Sequence, residues 1–279
     1  MLDLWADLLG CLDLNRAGPS DGADDVLEFD AVSQELDYHR VFGGQLLAQF
    51  VRVATLACPG KSVKSFHTVF AREGRAAEPV HYQSTRQHEG RSFASLSITA
   101  RQPHAVLAST SVSLHASEDG PENQACEPVS ALLDEKHRID LDLIPWETRS
   151  ADDLTATTTG PPNFEVWMRT PAADADLAPA LTAYATDLTL IGTALRPFDG
   201  FSHRGNGTQF TSAVTSHTVW FHRQFRTDRW LLLRQHSPVL AHGRCFGRGD
   251  VLTADGVLVA SYAQEALLRF RGDPEKVGP

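Results

Sequence analysis

The sequence predicts an α+β fold made of two tandem copies of one unit, in which a helix is followed by four antiparallel strands. The first observation is an internal repeat: four short strings recur in the same order about 150 residues further along the chain. The second is that both copies show the same succession of helical and strand-like patterns. The third is the length of 279 residues, which allows two ordinary domains.

The repeat is a set of short matches. One match could arise by chance, but four in one order at nearly one spacing favour a duplicated unit. The matching strings are His-Thr-Val at 67–69 and 217–219, Arg-Gln-His at 86–88 and 234–236, Gly-Arg-x-Phe at 90–93 and 243–246, and Ala-Ser at 108–109 and 260–261.

The first copy is predicted to begin with a helix over residues 43–57. Apolar residues cover most of its circumference, and only Gln45, Gln49 and Arg52 form a narrow polar stripe. Such a helix is buried nearly all round, as if a sheet were wrapped about it. Runs rich in Val, Phe, Thr and Ser, separated by Gly, Asp or Pro, predict the strands that follow. These strands are 64–72, 79–88, 91–101 and 105–115.

A polar, proline-containing segment then predicts a linker. We place the first unit at residues 1–116, a linker and connecting segment at 117–160, and the second unit at 161–279. The second unit is predicted to contain a helix over about 177–195, since apolar residues recur there at helical spacing. Its predicted strands are 210–223, 229–237, 243–253 and 257–270.

Two polar side chains distinguish the second copy from the first. Asp187 lies at the edge of the apolar stripe of the second helix, where partial burial would raise its pKa and suit it to general base catalysis; a solvated helix carboxylate is the alternative. Gln264 aligns with Val112 of the first copy and lies in a largely apolar strand, where it needs hydrogen-bond partners. The asymmetry suggests one polar site per chain, although Gln264 could instead serve only the backbone.

Composition excludes several classes of protein. The chain has 25 Lys and Arg against 35 Asp and Glu, and this net charge of −10 argues against nucleic acid as a partner. No apolar run approaches the roughly 18 residues that span a bilayer. The histidines show no metal-ligand spacing, so no metal is expected. Four widely spaced cysteines fit neither a disulfide framework nor a zinc site, which favours a reducing, cytoplasmic location.

Six stretches together resemble the type II acyl-CoA thioesterase (TesB-like) family. The resemblance is spread over residues 39–270 in the family order and implies a double hotdog fold, two units that each wrap a sheet around a central helix. The stretches are HRVFGGQLLAQF (39–50), SFHTVFAREG (65–74), HEGRSFASLSITARQ (88–102), YATDLTLIGTALRP (184–197), VWFHRQFRTDRWLLL (219–233) and DGVLVASYAQEALLRF (255–270).

The resemblance also implies an activity and a site. Family members hydrolyse acyl-CoA with a water held by an Asp, a Thr or Ser, and a Gln. Asp187 and Gln264 match the Asp and the Gln, but Val214 stands where the family has its hydroxyl. Strand alternation places Ser216 on the face of Val214, and a bulge could bring Thr215 there, so these two hydroxyls are the candidate replacements.

The resemblance implies direct hydrolysis of an acyl-CoA substrate without a cofactor. Gly43 and Gly44 would permit close backbone approach at a helix N-terminus, whose N–H groups suit a developing oxyanion. The coenzyme phosphates need cations, and Arg223 and Arg244 are the primary candidates. Together with Arg226, Arg229 and Arg248 they are expected to form a local basic group. Hotdog sheets commonly pair, so a homodimer or homotetramer is expected.

Two other functions remain open at this point. A hotdog enoyl-CoA hydratase would need an Asp-His pair, for which residues 37–39 (Asp-Tyr-His) are a loose match. A catalytically weak or inactive acyl-CoA-binding relative is the stronger rival, because the loss of one water-orienting hydrogen bond at Val214 costs about 1–3 kcal/mol.

Overall fold

A computed structural model describes residues 3–17, 25–36 and 40–271. Within these ranges the strands join into one thirteen-stranded antiparallel sheet, in the order β1-β2-β4-β5-β6-β3-β10-β13-β12-β11-β9-β8-β7. The strands are β1 Asn15–Arg16, β2 Val26–Ala31, β3 Ser62–Phe70, β4 Val80–Glu89, β5 Phe93–Gln102, β6 Ala105–His115, β7 Arg138–Ile139, β8 Glu147–Arg149, β9 Asn163–Arg169, β10 Phe210–Phe221, β11 Leu231–Ala241, β12 Arg244–Thr253 and β13 Leu258–Phe270.

Four α-helices lie against the sheet in the described part of the chain: α1 Leu4–Cys11, α2 Gly43–Ala57, α3 Ala178–Thr186 and α4 Leu190–Leu195. The prediction for α2 is confirmed, including its burial, since Gln45 and Gln49 are both buried. The single helix predicted over 177–195 is wrong, because the chain leaves the helical path after Thr186 and resumes at Leu190. None of these helices is long and apolar enough to cross a bilayer.

All eight predicted strands are confirmed, with ends that differ by a few residues. The sequence analysis missed β2 and β9, each of which precedes the helix of its unit and pairs near the outer edge of the sheet. The repeated unit is therefore a strand, a helical segment and four strands. The connecting segment is not wholly irregular either, because β7 and β8 lie in it and extend the sheet from β9.

The two units meet where β3 pairs with β10, so one sheet runs through both. A single apolar core follows the sheet and contains buried residues of α1, α2 and α3, for example Leu8, Phe50 and Leu181. A smaller cluster lies under α4 and includes Leu195 and Phe210. The helices thus share one continuous interior, which agrees with the predicted double hotdog architecture.

The register of β3 and β10 corrects one detail of the repeat. Each strand carries a β-bulge, between Val63 and Ser65 in β3 and between Val214 and Ser216 in β10. Aligning the bulges makes His217 equivalent to Phe66 rather than to His67. His67 is exposed whereas His217 is fully buried, as expected when a register differs by one residue. The two His-Thr-Val strings are therefore not structurally equivalent, although the duplication is real.

Helices α2 and α3 cross at very short distance near the N-terminus of α2. A Cβ atom added to Gly44 would lie 2.5 Å from the backbone oxygen of Tyr184 and 2.5 Å from the ring of Phe42. Phe42 and Tyr184 pack edge to face, with ring centroids 5.0 Å apart. Only glycine permits this approach, which joins the helix of the first unit to that of the second.

We expect Gly44→Ala to lower the free energy of unfolding by about 1–3 kcal/mol, because the added methyl group forces the two helices apart. Gly10→Ala is the matched control, since nothing lies within 4 Å of a Cβ at that helical position. It should be neutral or stabilise by up to about 1 kcal/mol. Urea unfolding of the three proteins checks this, and equal effects of the two substitutions would contradict the packing argument.

Candidate active site

Asp187 lies at the C-terminal end of α3 and faces the N-terminus of α2. A Cβ atom added to Gly43 would lie 2.7 Å from its Oδ2 atom, so the missing side chain of Gly43 is what makes room for the carboxylate. Phe42, the N-cap of α2, provides no side-chain hydrogen bond to the helix. The carboxylate of the second unit therefore occupies the position at which a helix N-terminus accepts an anion.

The electrostatic state of Asp187 is set by two opposing effects. Its side chain is buried, and burial raises the pKa of this carboxyl to about 7, only partly opposed by a hydrogen bond from the Gly44 backbone N–H. Its Oδ1 atom is buried without a hydrogen-bond partner among the described residues. A carboxylate with a pKa near neutrality and a free oxygen can accept a proton from a bound group at pH 7.

Gln264 is linked to the end of α3 by buried hydrogen bonds. His217 on β10 lies directly across from Gln264 on β13, and its Nδ1 is 2.9 Å from the Gln264 Oε1. The Nε2 of His217 is 3.0 Å from the hydroxyl of Thr186, the residue before Asp187. The amide nitrogen of Gln264 is buried without a partner among the described residues. Gln264 is therefore connected, through His217 and Thr186, to the residue that precedes Asp187.

The bulge in β10 decides where the candidate replacement hydroxyls point. Val214 pairs with the inward-facing Ala266, but Ser216 pairs with Glu265, so the expectation that Ser216 shares a face with Val214 is wrong. Ser216 precedes the inward-facing His217 and points to the other side of the sheet. Thr215 is the extra residue of the bulge, and its hydroxyl donates to the backbone oxygen of Glu265 at 3.0 Å.

A narrow apolar cleft lies beside Asp187. Ala185, Leu188 and Thr189, which flank the carboxylate in sequence, form one wall of this cleft, and Trp146 and Leu233 contribute to the rest. Trp146 also borders a wider surface cavity of about 500 Å³ that contains Arg169 and Arg229. The segment that contains Asp187 therefore borders the narrow apolar cleft. Trp146 lies between this cleft and the wider cavity, which charged side chains line.

The two primary arginine candidates, Arg223 and Arg244, do not lie together. Arg223 donates to Glu122 and to the backbone oxygen of Leu258, whereas Arg244 forms an ion pair with Glu265. Leu258 pairs with Leu252 at one end of β12, and Arg244 begins the other end, so at about 3.3 Å per residue the two anchor points are about 26 Å apart. One phosphate group cannot contact both side chains.

Two features named in the sequence analysis add nothing to this site. The Asp-Tyr-His string at 37–39 lies outside the described residues. In the described ranges, no group of three or more His, Cys, Asp or Glu side chains could hold a metal ion.

The fold and the polar cluster define a double hotdog protein with a buried acid and amide at the junction of its units. Residues 33–115 match the model of the acyl-CoA thioesterase N-terminal domain, and residues 111–268 match that of the C-terminal domain. The chain belongs to the acyl-CoA thioesterase family.

Similarity to individual proteins extends over nearly the whole chain. The chain is 28% identical to acyl-CoA thioesterase 2 of Haemophilus influenzae, over 97% of this chain and 99% of that protein. It is 28% identical to acyl-coenzyme A thioesterase 8 of Rattus norvegicus, over 83% and 81% respectively. A crystal structure of an acyl-CoA thioesterase II from Mycobacterium marinum aligns with a TM-score of 0.75 and 28% identity, covering 95% of this chain and 99% of that one.

Sequence reasoning missed two members of the polar cluster, His217 and Thr186. His217 was noticed only as part of a repeated string, and the alternation of β10 could have shown that it faces inward with Val219. Thr186 lies beside Asp187 in sequence, but nothing in a helical pattern indicates that its hydroxyl reaches a histidine on a distant strand. This contact depends on tertiary packing.

We expect the stability of the protein to fall as the pH rises from 5 to 8. Burial raises the pKa of Asp187 in the folded chain above its unfolded value, so the folded state holds the additional proton in this window and loses that advantage as it ionises. Each pKa unit is worth about 1.4 kcal/mol, which predicts a loss of roughly 1–3 kcal/mol.

Asp187→Asn cannot ionise and provides the control for this effect. Urea unfolding at pH 5 and pH 8 should show a smaller decrease for the variant than for the wild type. If both proteins lose stability equally across this range, the proton of Asp187 is not the cause.

Proposed function

We propose that this protein hydrolyses acyl-CoA thioesters to a free acid and coenzyme A. The observation that carries the proposal is that Asp187 and Gln264, the two residues that match the family's Asp and Gln, each have one buried polar atom without a partner among the described residues, the acceptor Oδ1 and the donor Nε2. Buried polar atoms are nearly always satisfied, so two of opposite type suggest a site that a ligand completes. A water molecule can donate to the first and accept from the second.

In the proposed reaction, Asp187 acts as the general base. It takes a proton from the water while the water oxygen attacks the thioester carbonyl carbon, and the C–S bond then breaks to release the thiolate of coenzyme A. A carboxylate with an ordinary pKa would be a weak base at pH 7, whereas burial raises the pKa of Asp187 to about 7. The environment of this residue thus matches the proton transfer required of it.

The oxyanion that develops during attack is assigned to the N-terminus of α2. The Gly44 N–H already bonds to Asp187, so the donor assigned to the oxyanion is the backbone N–H of Gly43, the first residue of this helix. The cleft lined by Ala185, Leu188 and Trp146 has apolar walls but only about 10 Å³ of free volume, so it would have to widen to admit an acyl chain. This assignment makes Gly43 a substrate-positioning residue, whereas Gly44 positions Asp187.

Assembly and location belong to the proposal as well. We propose a homodimer or homotetramer in the cytoplasm. Exposed large apolar side chains on the outer face of the central strands, Val69 of β3 and Trp220 of β10, support association between copies.

Asp187→Asn should lower kcat by about 10²–10⁴-fold with acyl-CoA substrates, because the amide cannot accept the proton. For the wild type, kcat/KM should rise with pH and level off above about pH 7, as the carboxyl whose pKa is raised to about 7 ionises. Release of the coenzyme A thiol, followed over a series of acyl chain lengths, measures both effects.

Asp199→Asn is the control for that experiment, since Asp199 is exposed in the loop after α4. It should leave kcat and KM unchanged. Tight binding of acyl-CoA by the wild type without any turnover would reject hydrolysis, and full activity of Asp187→Asn would reject Asp187 as the base.

A catalytically weak or inactive acyl-CoA-binding protein is the second candidate function. The observation that favours it is Val214, which faces the interior opposite Ala266 at the position where the resemblance places a hydroxyl. Neither Thr215 nor Ser216 replaces that hydroxyl in the geometry described above.

We expect Val214→Thr to raise kcat about tenfold to a hundredfold, because a hydroxyl on the inner face adds one hydrogen bond to the attacking water. Val214→Ala changes the size of the side chain without adding a hydroxyl and should give no gain. The same thiol-release assay compares the three proteins. A similar loss of activity in both variants would show that packing at this position, not the hydroxyl, matters.

A further inference from the structure

A buried chain of three side chains connects the two elements of the proposed site. Thr186 at the end of α3, His217 on β10 and Gln264 on β13 are linked through the two ring nitrogens of His217, at 3.0 Å and 2.9 Å. All three side chains are at most 2% exposed. A hydrogen bond shielded in this way from water holds its partners in a defined geometry.

The number of protons in this chain restricts its arrangement. Burial lowers the pKa of His217 to about 4, so the imidazole is neutral at pH 7 and carries a single N–H. The Gln264 Oε1 can only accept, so the ring proton lies on Nδ1 and points to this oxygen. The Nε2 atom then accepts the single proton of the Thr186 hydroxyl, which in this arrangement is not donated to the backbone oxygen of Ala183, also 3.0 Å away. The tautomer of the ring and the orientation of the amide are thereby coupled.

The orientation of the amide matters because its other end is free. With Oε1 held by His217, the NH₂ group of Gln264 is buried without a partner among the described residues. Rotating the amide by half a turn would place an acceptor where that donor now lies, and it would leave two hydrogen-bond donors, the amide NH₂ and the Nδ1–H of His217, facing each other. The ring therefore determines whether the site offers a donor or an acceptor at this position.

The first unit shows that the fold itself does not require this polar pair. Phe66 and Val112 are paired across β3 and β6 at the positions equivalent to His217 and Gln264, and both are buried. An apolar pair thus packs well in this environment, and a polar pair costs desolvation unless it has another use. The difference between the units points to a role in the reaction.

We propose that His217, with its tautomer fixed by Thr186, is a positioning residue that orients the Gln264 amide to donate to the reacting water or to the thioester oxygen. This inference rests on the proposed thioester hydrolysis. It extends the proposed site to two residues that do not themselves contact the substrate, and it assigns to Thr186 a hydroxyl function different from the one missing at Val214.

The test compares His217→Phe, which copies the first unit, with His217→Asn, whose amide can still donate to Gln264. We expect His217→Phe to lower kcat about tenfold to a hundredfold while KM changes by less than about threefold, and His217→Asn to recover most of the loss. Thr186→Val should lower kcat less, and Thr186→Ser, which keeps the hydroxyl, should recover it. His67→Phe is the matched control on the exposed face and should behave as the wild type.

A nitrogen NMR spectrum of the ¹⁵N-histidine-labelled wild type provides a readout that does not depend on turnover. It should show His217 as the neutral Nδ1–H tautomer. The Nε2–H tautomer, or a kcat of His217→Phe equal to that of the wild type, would overturn the inference and leave the proposed hydrolysis intact. A wild type that cleaves no acyl-CoA would instead reject the hydrolysis itself and, with it, this role of His217.

Discussion

The close approach of the N-terminus of α2 to the C-terminal end of α3 is the constraint on which the site depends. It requires glycine at positions 43 and 44, because a Cβ at either would overlap Asp187 or the backbone of Tyr184. It also removes the carboxylate from water and supplies a helix N-terminus in return. Burial raises the pKa of Asp187, and the hydrogen bond from the helix N-terminus lowers it. The proton affinity of Asp187 is therefore set by how tightly the two units pack. Neither unit alone contains both parts.

Two buried glutamines, Gln49 of the first unit and Gln264 of the second, use their amide groups differently. Gln49 in α2 is completely engaged: its amide nitrogen donates to the backbone oxygens of Cys11 and Val32, and its oxygen accepts from Tyr82. Gln264 uses its oxygen but not its nitrogen. The first glutamine therefore stabilises the core, while the second keeps a buried donor without a partner, as the proposed site requires. Equal burial thus accompanies two different functions.

Much of the fold could be predicted from the sequence, because the strands alternate and the duplicated unit is visible. The interruption of the helix after Thr186 could not be predicted, since apolar residues continue at helical spacing through it. At the break, the hydroxyl of Thr186 lies 3.0 Å from the backbone oxygen of Ala183, and Thr189 is held by a tertiary hydrogen bond to Gln235 on β11. Likewise Asp187 and Gln264 could be identified from the pattern and the resemblance. The bulge that turns Ser216 outward and His217 inward could not be predicted, because a single inserted residue does not change the composition of the strand.

Because the net charge is −10, binding of an anionic coenzyme depends on a few arginines that form no ion pair within the protein. Arg223 and Arg234 of the second unit are occupied by the connecting segment, through Glu122 and the backbone of Glu127 and Pro128. Releasing either would cost the contacts that hold this segment on the sheet.

Among the described residues, Arg229 and Arg248 form no ion pair, and Arg229 lines the cavity that shares Trp146 with the apolar cleft. A cation there attracts phosphate without breaking an existing bond, whereas Arg223 and Arg244 would each have to exchange a carboxylate for the ligand.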